Sequence, residues 1–533
     1  MRRDIRDIIE TMRKYVKKQI QKQLDEMPGV HRHIMNAFLA GSADNARTLL
    51  AACQEAAIAV GNTIEETEKG TVPGDAVVAR IEAYCELVYE LWQKAEDICG
   101  PRAAANEAGC VIGQTGTHGH SVPLGVSGAH GSSAVPGKSG THGDSALFGE
   151  PGTRERSALS GSREKQARSA QTNRRMEEAH SRLQELDQAI HDIKEHIQTN
   201  LPECVEVAFL PYKASMWDCL ESVWEAADAD PDCDAYVVPI PYLDRGPDDT
   251  FTDIHCEADK FPKNVPVVSW QEYDIAARHP DVIYIHNPYD NVNNVTSVHP
   301  SFYAKELKKH TDMLVYIPYF VCTNDHIEDH FCVLPGTIFA DRVIVQSEPV
   351  RQAYIEAYHK FEKENHIEGY VGNAEEKFVA LGSPKYDKVL KTTRENVEIP
   401  DDWRRKITNS DGSFKKVILY NTTVTQILEH REKVLEKIRS VFDLLQKRDD
   451  VVLLWRPHPL SLTTCRSVSA QLTEEYRALT EEYRAQDWGI YDDTADLHRA
   501  IALSDAYYGD MSSVVELYRM TGKPIMIEDV ELV

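Results

Sequence analysis

Apolar residues at Ile5, Ile8, Ile9, Met12, Val16, Ile20 and Leu24 recur at steps of three and four, the spacing of one face of a helix. The same period runs on through the first hundred residues and predicts a helical region over 1–100. A polar helical pattern resumes at Arg174 and continues to Gln198, which predicts a helix over 174–200 that pairs with the earlier ones as a coiled-coil-like stalk. From Val205 the pattern changes to short apolar runs separated by helix-length segments: VEVAFL from Val205, AYVVPI from Ala235, DVIYIH from Asp281, MLVYIP from Met313, RVIVQS from Arg342 and KFVALG from Lys377. That alternation is the signature of a parallel sheet covered by helices. A second series follows, with VILYNTT from Val417, VVLLWRPHP from Val451, WGIYDD from Trp488, AYYGD from Ala506 and PIMIED from Pro524. The predicted fold class is therefore α/β, with two Rossmann-like doubly wound domains, over 201–390 and 391–533, preceded by an α-helical, coiled-coil-like N-terminal region.

Between the helical stretches, 101–173 turns to Gly, Ser, Ala, Thr and His with few large apolar residues. Such a segment cannot bury enough surface to offset its ordering entropy and reads as a disordered linker. Its histidines, including His120 and His130 among the Gly-Thr-His-Gly repeats, have nothing to fix a metal geometry. Leu472 to Ala485 is a tandem LTEEYRA, a seven-residue step that keeps one helical face constant, read here as a surface helix.

Composition narrows the function classes. With 533 residues, 42% hydrophobic and 27% charged, the chain has the make-up of a soluble globular protein with roughly two to four domains. No run approaches the roughly 20 apolar residues of a membrane span, and the N-terminus lacks an apolar signal core, so a cytoplasmic location is expected. A formal charge of −26 argues against nucleic acid as a partner. Eleven scattered cysteines without a C-x-x-C pair read as reduced thiols. Met1 to Leu24 departs from the acidic balance, with eight Lys/Arg against three Asp/Glu, a local charge of +5. A basic amphipathic stripe can lie on the inner face of a membrane or pack on another helix, including a second copy of the chain; packing against protein is the expected role. No G-x-G-x-x-G or G-x-x-x-x-G-K-[ST] follows any strand, which lowers dinucleotide oxidoreduction and P-loop chemistry, and no cofactor or metal is implied.

Chemistry concentrates at strand ends. Arg456 and His458, in Trp455-Arg456-Pro457-His458-Pro459, offer a planar fork for phosphate oxygens and a proton carrier near neutral pH, on a turn stiffened by two prolines. Gly509-Asp510-Met511-Ser512-Ser513 runs from a strand into a helix start, where free N–H groups and hydroxyls suit a pyrophosphate. Thr423, after Tyr420-Asn421-Thr422, and Gly382-Ser383, before the crossover between the domains, are small and hydroxylated positions that let a ligand approach the backbone.

The order G-S-P-K-Y-D from Gly382, V-I-L-Y-N-T-T from Val417, W-R-P-H-P from Trp455 and G-D-M-S-S from Gly509, ending in G-K-P-I-M-I from Gly522, resembles the CDP-glycerol glycerophosphotransferases of teichoic-acid synthesis, which have the GT-B arrangement of two Rossmann-like domains. The resemblance is close from about Asp341 onward and looser from Val205. It implies a CMP-releasing transferase that moves glycerol phosphate from CDP-glycerol to a polyol-phosphate or lipid-linked acceptor. Arg456 and His458 would meet the donor phosphates, and Asp510, Ser512, Ser513 and Thr423 would hold the donor. The family's W-H-G-T-P motif is missing: its place reads Tyr316-Ile317-Pro318-Tyr319-Phe320. Candidates for the absent acceptor base are His286, His326 and His330. A GT-B glycosyltransferase, a ribitol-phosphate transferase and a non-catalytic scaffold are the alternative readings.

Overall fold

A computed structural model describes residues 13–528, apart from 69, 101–153, 247–249, 294 and 370–371; the side chains of 154–162 and 164 are likewise left undescribed. Residues 101–153 of the predicted linker and the first turns of the basic stripe lie outside the described residues. Among the described residues no helix is long and apolar enough to cross a membrane.

The chain forms two compact units. Among the described residues the first is built from four helices, α1 (Lys14–Leu39), α2 (Ala43–Thr67), α3 (Val72–Cys99) and α4 (Arg154–Asn200). On α3 the buried positions Val77, Ile81, Tyr84, Val88, Leu91, Ala95 and Ile98 alternate steps of four and three, and α4 answers with Leu183, Leu186, Ile190, Ile193 and Ile197. This is the a/d seam of a coiled coil, as the sequence period predicts. Ile20 and Leu24 of the basic stripe are buried in protein. Helix α4 begins at Arg154, twenty residues before the predicted start at 174. The linker reading weighed the lack of large apolar residues, but those decide burial, whereas the Ala, Arg, Glu, Lys and Gln of this stretch are good helix formers. From Lys165 to Arg174 every side chain is exposed.

The second unit holds two parallel sheets. The strands of the first are β1 (Val205–Leu210), β2 (Cys233–Val237), β5 (Val282–Ile285), β7 (Met313–Tyr316), β8 (Arg342–Val345) and β9 (Phe378–Ala380), in the order β2-β1-β5-β7-β8-β9. The other contains β10 (Lys416–Thr422), β11 (Val451–Pro457), β12 (Ile490–Tyr491), β13 (Ala506–Gly509) and β14 (Ile525–Ile527), in the order β12-β11-β10-β13-β14. Both orders reverse direction once, which is the doubly wound Rossmann-like pattern, and every predicted apolar run supplies a strand. The reversal falls between β1 and β5 in one sheet and between β10 and β13 in the other; ligands of open α/β sheets bind at the carboxyl side of such points.

Two features differ from the sequence reading. A small antiparallel sheet of β3 (Tyr242–Arg245), β4 (Phe251–His255) and β6 (Thr296–Val298) stands at the carboxyl ends of β2 and β5. Its strands are three to five residues long and β4 is largely exposed, so no apolar run announces them. The LTEEYRA repeat forms the helix Ala470–Ala485, but it is a core element, not merely a surface one. Leu472, Tyr476, Leu479 and Tyr483 recur on one face and are buried with Trp455 and Phe442, and the Tyr483 hydroxyl donates to Leu453 O at 2.8 Å.

The two sheets belong to one unit and are tied by ion pairs. Asp218, after β1, receives Lys385 Nζ at 2.5 Å from the crossover helix Pro384–Lys391 and His498 Nε2 at 2.7 Å from the helix Leu497–Leu503. Lys388 pairs with Glu221, Lys391 with Glu225, and Ser222 Oγ donates to Asp387.

Candidate functional site

At the carboxyl ends of β10, β11 and β13 the register sets Asn421 opposite both Arg456 and Gly509, and Thr422 opposite Pro457. The strand ends are stitched together. His458 N donates to Thr422 O at 2.9 Å, Asn421 Nδ2 donates to Arg456 O at 2.8 Å, and Asp510 N donates to Asn421 O at 3.0 Å. Ser512 Oγ and Tyr507 Oη both donate to Asn421 Oδ1, at 3.1 and 3.3 Å. Gly509 makes the approach of β13 possible: a side-chain carbon there would sit 2.2 Å from Asn421 O, and its φ of +136° lies outside the range of ordinary L residues. The motifs around Thr423, Arg456, His458, Asp510, Ser512 and Ser513 therefore meet at one place, the reversal point of the second sheet.

Two of those residues, however, spend their charges on the fold. Asp510 is buried; its Oδ1 takes Lys437 Nζ at 2.6 Å, and its Oδ2 takes Thr423 N at 2.6 Å and Thr423 Oγ1 at 3.1 Å. Lys437, only 1% exposed, also pairs with Glu528 at 3.3 Å. The expectation that Asp510 holds donor directly is corrected: an acceptor-only carboxylate with both oxygens engaged organises the β10 turn instead. Arg456 donates through Nη1 to buried Asp492 and through Nη2 to Thr494 O at 2.9 Å, so its fork is braced by the turn that follows β12 and leaves only part of its edge open. His458 is exposed. Its Nδ1 accepts from Leu460 N at 3.1 Å, which in the neutral ring leaves Nε2 carrying the proton, and partial desolvation at the strand ends holds its pKa below the ordinary value. Ser513 is exposed at the start of the helix Ser513–Arg519, next to half-buried Ser512.

In the first sheet the structure buries His286 and leaves His326 and His330 apart from the strand-end cluster. His286 stands at the reversal point between β1 and β5, completely buried, with Nε2 accepting from Tyr212 N at 2.7 Å and Nδ1 3.3 Å from Cys219 Sγ. Burial drives its pKa to about 3. Both ring nitrogens are used and no face is open, so His286 plugs this crevice and cannot serve as a base for an acceptor. His330 is exposed on a one-turn helix, 3.2 Å from Glu328 and packed on Phe331, and His326 is exposed in the preceding loop. Neither is joined to the strand-end cluster by any described contact. Gly382, with φ of +96°, and Ser383, whose buried hydroxyl has no partner, sit at the carboxyl end of β9 and line a cavity of only about 10 Å³ with Pro318, Phe320 and Gln346. They belong to the first sheet, apart from the residues gathered on the second.

Sequence reasoning missed Lys437, Asp492 and Asp218. Lys437 had a signal, since it falls among Val434, Leu435, Ile438, Val441 and Phe442 on the buried face of its helix, where a cation requires a partner. Asp492 and Asp218 had none, for their importance comes from the partners the fold brings to them.

No family model matches this chain, and no curated protein matches it. Among solved structures it is similar to a putative UDP-N-acetylglucosamine 2-epimerase from Listeria monocytogenes, at 12% identity and a TM-score of 0.40 over 61% of this chain and 79% of that one. It is likewise similar to the UDP-GlcNAc 2-epimerase from Methanocaldococcus jannaschii, at 10% and 0.39 over 61% and 83%, and to an α,α-trehalose 6-phosphate synthase from Burkholderia multivorans, at 10% and 0.31 over 61% and 82%. The strand orders and register, rather than these likenesses, define the fold: two doubly wound α/β domains behind a helical N-terminal region.

Proposed function

We propose that the chain is a transferase acting on a nucleotide-activated donor, and that this donor is CDP-glycerol. The observation that supports this reading is the convergence of Thr423, Arg456, His458, Ser512 and Ser513 on the reversal point of the second sheet, where the carboxyl ends of three strands and one helix start meet. The order of motifs carrying these residues is the one shared with the glycerophosphotransferases.

In this reading an acceptor hydroxyl attacks the β-phosphorus of the donor in line, the bond from that phosphorus to the bridging oxygen breaks, and CMP leaves. The open edge of Arg456, held rigid by Asp492, neutralises charge on the diphosphate, and the hydroxyls of Ser512 and Ser513 add donors. His458, its Nδ1 engaged by Leu460 N, turns its Nε2–H outward as a hydrogen-bond donor to a diphosphate oxygen, and the proton of the attacking hydroxyl leaves to water. With His286 buried, His458 is the histidine assigned to stabilising the charge that builds on the diphosphate. Asp510 and Lys437 act at one remove by holding the Thr423 turn.

The test is release of CMP from CDP-glycerol in the presence of a polyol-phosphate or lipid-linked acceptor. His458→Ala is expected to lower turnover by roughly 10²-fold or more; near-normal turnover removes His458 from the mechanism. The full engagement of Asp510 and the bracing of Arg456 favour a second reading, a binding module that keeps the donor crevice without chemistry. A thermal shift with CDP-glycerol but no CMP release would establish it. Selective shifts by CDP-ribitol or UDP-sugars would instead move the donor to a ribitol phosphate or a sugar.

A further inference from the structure

The first sheet, whose own reversal point is plugged by His286, carries an open pocket farther along the same edge. Val267 bridges Val237 in parallel and Val268 N donates to Val237 O at 2.8 Å, so the chain at 267–268 runs beside β2 and delivers Ser269, Trp270 and Gln271 to its carboxyl end. Opposite them stand Pro239 and Pro241, which follow β2, together with Ile254, His255 and Cys256 of the β4 strand and its exit. The pocket's volume is about 460 Å³, within the few hundred to a thousand cubic ångströms of small-molecule sites.

Its chemistry is selective. One wall is the half-buried Trp270 indole, backed by Phe302 at 6.0 Å between centroids. Among the described residues its ring N–H has no protein acceptor. The rim carries the Asp259 carboxylate, which among the described residues accepts no hydrogen bond and forms no ion pair, and the Ser269 hydroxyl, which donates to Gln271 Oε1 at 3.0 Å and leaves the Gln271 amide N–H groups open to a ligand. No lysine or arginine lines the pocket. A phosphate would meet Asp259 with no lysine or arginine to offset it, and His255 is already engaged by Asp244, so a phosphate is disfavoured. A pyranose ring fits: its C–H face is electropositive and suits the π-face of Trp270, its apolar side suits the two prolines, and its hydroxyls can pair with Asp259, Gln271 and the indole N–H.

We propose that this pocket binds a neutral saccharide unit. Its role as the acceptor's seat rests on the transferase reading above; the binding itself does not. The single thiol in the lining, Cys256, is exposed and makes the pocket directly readable. The experiment is alkylation of the full chain with iodoacetamide, following the Cys256 peptide by mass spectrometry, with and without millimolar maltotriose or N,N′-diacetylchitobiose. A several-fold slowing of Cys256 labelling by either saccharide is expected, with glycerol 3-phosphate giving none. Asp259→Asn and Gln271→Ala, both at exposed positions, should weaken the protection several-fold while leaving the melting temperature unchanged. Trp270→Ala should abolish it and Trp270→Phe should retain part. Unchanged labelling with both saccharides, or protection that survives Trp270→Ala, overturns the proposal. A thermal shift with CDP-glycerol, measured on the same preparations, reports on the donor site independently: protection without a shift keeps the saccharide pocket and removes the CDP-glycerol reading, and a shift without protection does the reverse.

Discussion

Lys437 shows how one residue sets the local chemistry of the second sheet. Its ammonium is enclosed between Asp510 and Glu528, and Glu528 also receives the Tyr508 hydroxyl at 2.7 Å. Removing one member of such a group strands a buried charge, so Lys437→Met is expected to cost about 3–5 kcal/mol in urea unfolding, and the double change with Asp510→Asn to recover part of it. His286 makes a second prediction. Its folded pKa of about 3 lies below the ordinary 6.5, so the unfolded chain takes up a proton that the folded chain refuses. The stability from the neutral ring is complete above pH 6.5 and is lost as pH falls from there towards 3, at roughly 1.4 kcal/mol per pH unit. Melting temperatures recorded between about pH 7.5 and 5.5 should fall more steeply for the wild type than for His286→Gln. Equal slopes would show that the ring is not buried neutral.

At the scale of elements, the close approach of β13 to β10 depends on a missing side chain. Gly509→Ala must open the Asn421 contact and adopt a strained backbone, a cost of about 1–3 kcal/mol or more, and the shift of Asp510 and Ser512 should weaken donor binding along with stability. A thermal shift titration with CDP-glycerol reads both effects from one experiment. The repeat helix Ala470–Ala485 makes the opposite case, since its charges look like those of a solvated surface while its Leu and Tyr positions fill the core beside Trp455. Leu479→Ala is expected to cost about 2–5 kcal/mol in urea unfolding, whereas a freely solvated helix would lose only tenths. Much of this scale was readable in advance: each predicted apolar run became a strand, and the a/d steps on α3 and α4 became a packed seam. The antiparallel sheet was not readable, because short half-exposed strands are held by pairing partners distant in sequence and leave no period of their own.

For the whole α/β unit, the Asp218, Lys385 and His498 cluster is the most buried of the polar ties between the two sheets. Burial alone would raise the Asp218 pKa, but Lys385 and His498 outweigh it and hold the carboxyl at about 2. That contribution is therefore complete above the ordinary carboxylate range and is lost as pH drops through 2. Asp218→Asn at neutral pH is expected to loosen the pairing of the sheets. Differential scanning calorimetry should then resolve two overlapping transitions where the wild type gives one for this unit. A single unbroadened transition would show that the two sheets are held by other contacts.

The sequence by itself determined the elements and their class, because hydrophobic period and strand-ending turn chemistry are local properties that each segment expresses alone. It also determined which motifs would meet on the second sheet, since consecutive parallel strands carry their exits to one edge. Tertiary structure decided which charges stay open. Arg456 and Asp510 look equally available in the chain, yet Asp492 and Lys437, 36 and 73 residues away, engage the first in part and the second completely. The same holds for His286, whose imidazole reads as a base in sequence and becomes a neutral plug once the fold removes water from both its nitrogens. Burial and pairing are sums over distant neighbours, and only the folded chain supplies them.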